Sequence, residues 1–412
     1  MCSWLVTAVC PMIHNPPTAT VKRRKLMSSP HRSKFILFTS FLLLIMFLAL
    51  SATTSFARPP NGGRMTVAST EFLGIVTFDT GTEFAGTEVG GLSGITYDAK
   101  RGVYYVLSDD RTQARYYTAA IDLSDGSLDP GDVTFEDVTF LRDQTGNLFP
   151  PRSVDPESIE LVKPGQLYIS SEGDADADPI IDPFVNRFNL AGKQNLALPV
   201  PDKFLPNADE TQGVRDNLAF ESLTSTPNRK FLYTATENAL VQDGPKATVD
   251  NGSPSRLLMY KLKRRWPGME FVYNVGPIPK APIPADSFAD NGLVDLQALD
   301  NKGTFLAMER SFAVGVGNTV ILYETSTKYA TNVSRIFSLD APGVWYVPMS
   351  KELVADFEAD LGVRPDNLEG MTFGPPLPDG RQLLIVVSDN NFNPFQITQF
   401  IAVAVELEPA GR

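Results

Sequence analysis

Along this chain one arrangement of apolar and polar positions keeps returning: a polar residue between apolar ones, a tight turn, then an apolar strand closing on an acid. It reads "GLSGITYDAKRGVYYVLSDDR" from Gly91, "PESIELVKPGQLYISSEGD" from Pro156 and "AFESLTSTPNRKFLYTATEN" from Ala219. It returns as "DLQALDNKGTFLAMER" from Asp295 and "NLEGMTFGPPLPDGRQLLIVVSDNNF" from Asn367. The turns "AKRG", "KPGQ", "TPNR", "DNKG" and "PDGR" supply the Gly, Pro, Asn or Asp that a tight reversal needs. The strands are rich in Tyr, Phe, Val and Ile, as half-buried β-structure requires. With Ser93, Glu157, Glu221, Gln297 and Glu369 as the first-position residues of the phrases, the intervals are 64, 64, 76 and 72 residues.

Each hairpin is followed by further strand-like runs, such as "ARYYTAAIDL" and "VTFEDVTFL", "SRLLMYKLK" and "EFVYNV", or "TVILYET" and "SRIFSL". Four strands per unit at this period predict an all-β fold, a β-propeller of five blades, with six as the alternative. The last unit runs out of chain after "ITQFIAVAVEL", so its outer strand is expected from the start of the mature chain, "TEFLGIVTFD" from Thr70, a clasp that also protects a sheet edge. Apolar residues at helical spacing occur only around Ser350 to Leu361, read as a short helical insertion between the last two units. The domain is expected over residues 70–408, after a linker at 58–69 and before a tail at 409–412.

In an antiparallel hairpin the start of one strand lies beside the end of the next, so the two acids of a phrase meet. If these are the inner strands, Glu157, Glu221 and Glu369 gather with Asp109, Glu172, Glu237, Glu309 and Asp389 at one mouth of the central channel. So many carboxylates stay ionised only beside positive charge, and calcium, with six to eight oxygen ligands, suits that place. The alternative is that these acids only bond backbone amides and hold neighbouring blades together. Arg111 and Arg310 follow two of the acids, as ion-pair partners or as guanidinium groups for a bound phosphate or carboxylate. "SEGDADADP" alternates Asp174, Asp176 and Asp178 after Glu172 but lacks the glycine and closing Glu of a calcium loop, and is read as a solvated acidic loop, with a cation site as the alternative.

Residues 1–57 differ in kind. They hold no Asp or Glu, and basic "KRRK" and "HRSK" precede the uncharged run Phe35 to Leu50 and the small residues ending in "SFA". That order predicts a secretory signal cleaved after Ala57, within an extension whose true start is Met1 or Met27. The run is shorter than the roughly 20 residues of a spanning helix, so cleavage is expected over a membrane anchor, which is the alternative. Both cysteines and both histidines, Cys2, Cys10, His14 and His31, lie inside this segment. Without it the chain has no Ser-His-Asp triad, Cys nucleophile or His/Cys zinc site. It also holds 30 basic against 48 acidic residues, a net of −18, which argues against nucleic acid or anionic membrane as partner. The sequon "NVS" marks Asn332 for glycosylation.

The phrases "DPESIEL" with "LYISSEGD", "NLAFESLTSTPNRKFLYTATENAL", "FLAMERSF" with "TVILYE", and "NLEGMTF" with "LLIVVSDNNFNPFQITQF" resemble the phytase-like family described by esterase-like activity, secreted propellers. The resemblance covers nearly all of residues 70–408. It implies a propeller and, from the family's name, metal-assisted cleavage of a phosphoric or carboxylic ester. Glu157, Glu172, Glu221, Glu237, Glu309, Glu369 and Asp389 fall on the family's repeated acids, while Gln297 and Ser93 depart from them. The expected function is therefore a secreted hydrolase of a small phosphoric ester, with Glu221, Glu369 and Arg310 in catalytic roles. Calcium would be held by Glu157, Glu172, Glu237, Glu309, Asp389 and Asp109. The alternatives are a carboxylic ester or lactone hydrolase with channel-bound calcium, and a non-catalytic extracellular binding propeller.

Overall fold

A strand such as "QLLIVVS", buried along nearly its whole length, needs a sheet packed on each face, and a closed ring of stacked sheets supplies one. The computed structural model describes residues 62–411, so the expected signal segment and every Cys and His lie outside the described residues. A long strand β1 (Met65–Asp79) leads into a small hairpin of β2 (Glu83–Phe84) and β3 (Thr87–Glu88). Blade 1 follows with β4 (Gly94–Asp98), β5 (Val103–Ser108), β6 (Arg115–Ile121) and β7 (Val133–Phe140). Blade 2 is β8 (Pro156–Lys163), β9 (Gln166–Ser171), β10 (Phe184–Phe188) and β11 (Gln194–Ala197). Blade 3 is β12 (Thr224–Ser225), β13 (Phe231–Ala235), β14 (Ser253–Lys261) and β15 (Trp266–Val275). Blade 4 is β16 (Ala289–Ala298), β17 (Thr304–Ala313), β18 (Gly317–Ser326) and β19 (Ser350–Asp356). Blade 5 is β20 (Leu368–Pro376), β21 (Gln382–Ser388) and β22 (Ile397–Pro409), with β1 as its outer strand.

The ring closes at five blades, not six. Inner strands neighbour one another in order, β4 against β8, then β12, β16 and β20, which returns to β4. An apolar layer fills each gap between blades, from Leu107 and Ile159 between blades 1 and 2 to Ile385 and Val106 between blades 5 and 1. The clasp pairs β1 with β22 antiparallel from Met65 opposite Pro409 to Asp79 opposite Ile397, so it begins ahead of Thr70. Second strands lie between two such layers and read as apolar runs, whereas the outermost strand of blade 1, "VTFEDVTF", exposes part of its length.

Near the axis the backbones crowd. A Cβ on Gly370 would stand 2.9 Å from Gly94 Cα, and one on Gly94 2.9 Å from Ser158 Cα, so the inner strands of blades 5, 1 and 2 approach this closely only with very small residues there.

Two expectations are corrected in blade 4. The predicted helix around Ser350 to Leu361 is strand β19 followed by turns, and β19 pairs with β18. The predicted outer strand "SRIFSL" lies instead in an irregular loop, residues 327–349, with Ile336 and Leu339 packed on Val272 of blade 3. Periodicity misled in both cases, because an edge strand with one solvated face imitates a helical stripe and a buried loop imitates a strand. The loop is also held by charge. Arg256 pairs with Asp243 at 2.5 Å and Glu270 at 3.1 Å, Lys203 with Glu270 at 3.2 Å, and both cations bond to the Ile336 carbonyl.

Candidate active site

Strand register decides which residues share the mouth. The amides of Asp109, Glu172, Glu237 and Asp389 donate to the carbonyls of Gly91, Asp155, Ala219 and Asn367, one such bond in each of four blades. In blade 4 the residue opposite Gly292, the counterpart of these acceptors, is Arg310. At the second-strand position the ring therefore reads Asp109, Glu172, Glu237, Arg310, Asp389. At the first-strand position it reads Ser93, Glu157, Glu221, Val294, Glu369, since Asp295 of β16 pairs with Met308 as Gly94 pairs with Leu107 and Gly370 with Val387.

The structure thus brings Asp109, Glu157, Glu172, Glu221, Glu237, Glu369, Asp389 and Arg310 into one set of interacting charges. Glu309 does not join it. One residue out of register, its carboxylate faces away between blades 3 and 4, accepting from the Tyr273 hydroxyl at 2.7 Å and Asn291 at 3.2 Å and pairing with Lys351. Gln297 lies further along β16, where it accepts from the Phe373 amide at 3.3 Å. Acids deeper along the inner strands do staple blades together. Asp295 accepts the Met371 amide at 2.7 Å, and Glu160 reaches Thr96 in blade 1 and Ser225 in blade 3.

Burial, then like charge, sets the electrostatics. For Asp109 and Glu157 desolvation and neighbouring carboxylates all raise the pKa well above the usual range. Glu221 is raised by burial, then by Glu172 and Glu157, and its side chain is hydrogen-bonded to that of Glu172. Burial lifts Glu237 to about 8 despite the Arg310 guanidinium, which stands 3.7 Å away. Glu369 and Asp389 are raised by burial too, but each also accepts from Asn367, and Arg310 contacts Glu369 at 3.2 Å and Asp290 at 3.3 Å. Glu237 Oε1 and Arg310 Nε are buried without a hydrogen-bond partner.

Two residues of the site were missed from sequence. Asp155, whose pKa burial and Glu172 push up to about 7, pairs with Arg111 at 3.4 Å. Its signal was the acid in "DPESIEL" where other blades carry Gly91, Ala219, Gly292 and Asn367. Asp290, opposite Phe312 on the neighbouring strand, had no counterpart in the repeat to flag it. Arg111 also pairs with Asp174 at 2.7 Å, while Asp176 and Asp178 are exposed. Asn332 is exposed in the loop 327–349, its Oδ1 accepting from the amides of Glu270 and Ser334.

Asp155, Glu157 and Glu172 each bring one carboxylate oxygen within 4.8 Å of the others, all three buried. An all-oxygen, carboxylate-rich set with few protein donors fits a hard divalent cation and can hold one. A cavity of about 750 Å³ opens over Arg310 and Glu369, flanked by Phe288, Phe312 and Phe395 and by the amides of Asn318 and Gln396.

A ring of sheets carrying buried acids at its axis is the setting in which the comparisons fall. A family model, phytase-like, described as esterase-like activity of phytase, matches residues 87–392. The chain belongs to this family. No curated protein matches it. Among solved structures it is similar to an endo-arabinase from Bacteroides thetaiotaomicron, at 12% identity and a TM-score of 0.39 over 77% of this chain and 94% of that one. The periplasmic gluconolactonase PpgL of Pseudomonas aeruginosa gives 12% identity and 0.33, over 78% and 89%. The Dos1 propeller gives 7% and 0.32, over 75% and 67%. None of the three bears on this chain's chemistry. Among the described residues no helix is long and apolar enough to cross a membrane.

Proposed function

We propose that this protein is an exported, metal-assisted hydrolase of a small phosphoric ester, working with calcium in the propeller mouth. The observation that carries the reading is the meeting of buried carboxylates from blades 1, 2, 3 and 5 with the Arg310 guanidinium of blade 4. Asp155, Glu157 and Glu172 would hold the ion, which when bound would neutralise charge on an ester oxygen and favour ionisation of water. Glu221, raised by burial and then by Glu172 and Glu157, is the group suited to hold a proton and deliver it to the leaving oxygen. Glu369, relieved by Arg310 and Asn367, is the better proton acceptor for the attacking water. Arg310, its head fixed by hydrogen bonds to Asp290 and Glu369, borders the cavity and keeps unbonded N–H groups for a substrate oxygen. No imidazole is needed on this route.

A carboxylic ester or lactone is the second reading, favoured by the phenylalanines around the cavity, which suit an apolar group next to the cleaved bond. Turnover of an aryl phosphate, an aryl acetate and a lactone, each with calcium and with chelator, separates the two. Purified protein that binds no calcium and turns over none of them leaves the binding propeller standing instead. Residues 1–57 are proposed to be removed on export and Asn332 to carry glycan. N-terminal sequencing and a glycosidase mass shift on protein recovered from the medium check both.

A further inference from the structure

The acidic mouth has an opposite at the other end of blades 2 and 3. Glu157 and Lys163 lie on the same strand β8, six residues and so roughly 20 Å apart, the acid at the mouth and the lysine at the hairpin turn. At that turn end lies a second cavity of about 590 Å³ whose thirteen lining residues include eight Lys and Arg and no Asp or Glu. Those eight are drawn from only 30 basic residues after position 57, in a chain with 48 acids. They come from separate elements: Lys163 at the end of β8, Arg187 on β10, Arg229 and Lys230 before β13, and the run "KLKRR" where β14 turns into β15.

None of these cations makes an ion pair among the described residues, whereas Arg256, Arg310 and Lys351 elsewhere all do. Glu160, which interacts with Arg229, is half-buried and already bonded to Ser225 and Thr96. The groove also offers Tyr168, in contact with Arg187, and the ring of Phe231. Holding eight like charges together costs free energy unless counter-charge arrives from outside the chain.

We propose that this groove binds a linear acidic polysaccharide. The cations sit on four elements around a trough, which suits charges spaced along a narrow chain rather than one anion in a pocket. Aromatic rings beside them suit the flat faces of sugar rings. A duplex nucleic acid or a membrane plane reaches past the groove to the acidic remainder of the surface, within the ~10 Å over which charges are felt at ordinary salt. A single chain lying in the trough avoids that contact.

The test is equilibrium binding of the full chain to polygalacturonate and to dextran sulfate, with neutral dextran, phosphatidylserine vesicles and single-stranded DNA as comparison arms. Binding to either acidic glycan is expected, weakening steeply with salt. The triple reversal Lys263→Glu, Arg264→Glu, Arg265→Glu, at exposed turn positions, should lower affinity at least about tenfold. Lys280→Glu, outside the groove lining, should change it little. Single Lys163→Gln and Lys230→Gln variants should each reduce the salt slope by about one contact while the melting temperature stays put. Affinity unchanged by the triple reversal overturns the proposal. So does binding to vesicles or DNA but not to glycan, or no binding to any polyanion at low salt.

Discussion

Two groups of buried charge in this protein are built on opposite principles. Around Arg256 every buried charge has a partner: Asp243 and Glu270 flank the guanidinium, Lys203 caps Glu270, and carbonyls of the loop 327–349 take remaining donors. In the mouth carboxylates crowd one another, and Arg310 relieves only those near blade 4. Paired charge fixes a loop that lacks regular structure. Unpaired charge is costly to the folded state and waits for a proton or a cation. The contrast separates acids that hold the fold from acids available for chemistry.

The largest effect should come from breaking the paired group. Arg256→Met leaves Asp243 and Glu270 buried without counter-charge and should cost about 3–5 kcal/mol, read from the urea midpoint. A loss below 1 kcal/mol would mean the network is not anchoring the loop.

Next in size is calcium with pH. In metal-free protein the raised carboxyl pKa values make the fold take up protons. That contribution is complete below the ordinary carboxyl range near 4 and is lost as pH rises through about 7 for Asp155 and about 8 for Glu237. Calcium needs the ionised forms, so the gain in melting temperature on adding it should grow from about pH 5 to about pH 8. At a free concentration a hundredfold above Kd the gain in unfolding free energy should reach about 2.7 kcal/mol. A gain that shrinks with rising pH contradicts the ion's place among these acids.

Arg310→Ala should cost less than Arg256→Met, about 1–3 kcal/mol, because Glu237, Glu369 and Asp290 border a cavity where protons and water can reach them. Ester turnover should fall about a hundredfold or more. Equal losses at Arg256 and Arg310 would erase the distinction between the two groups.

The smallest stability change is expected from Glu157→Gln. Gln mimics the neutral form that burial favours at Glu157, so metal-free stability should stay within about 0.5 kcal/mol while the calcium-dependent gain is abolished. A strongly destabilised metal-free variant would place Glu157 with the fold-holding acids instead.

The ring of blades was legible because strands buried on both faces must be apolar throughout and their turns need special residues. Both constraints act locally and repeat. The clasp was legible too, since a unit one strand short must take it from elsewhere. Register was not. "LAMERSF" offers an acid and a base side by side, and nothing local tells which one faces the axis. Counted from the turn, Glu309 matched the other acids, and only its pairing with Leu293 moved Arg310 into the ring. Asp155 escaped for the opposite reason, since it belongs to one blade and no repeat points to it.

By itself, then, the chain determined that sheets form, how many strands each holds, and that acids stand at the ends of the inner pairs, because hydrogen-bonding and burial constrain each segment in its own neighbourhood. The chain also favoured five blades over six; the guanidinium among the carboxylates and the separation of a negative mouth from a positive groove were decided only when the blades closed on one another. Side chains alternate faces with every residue, so a shift of one position along a strand exchanges the groups that meet across the ring.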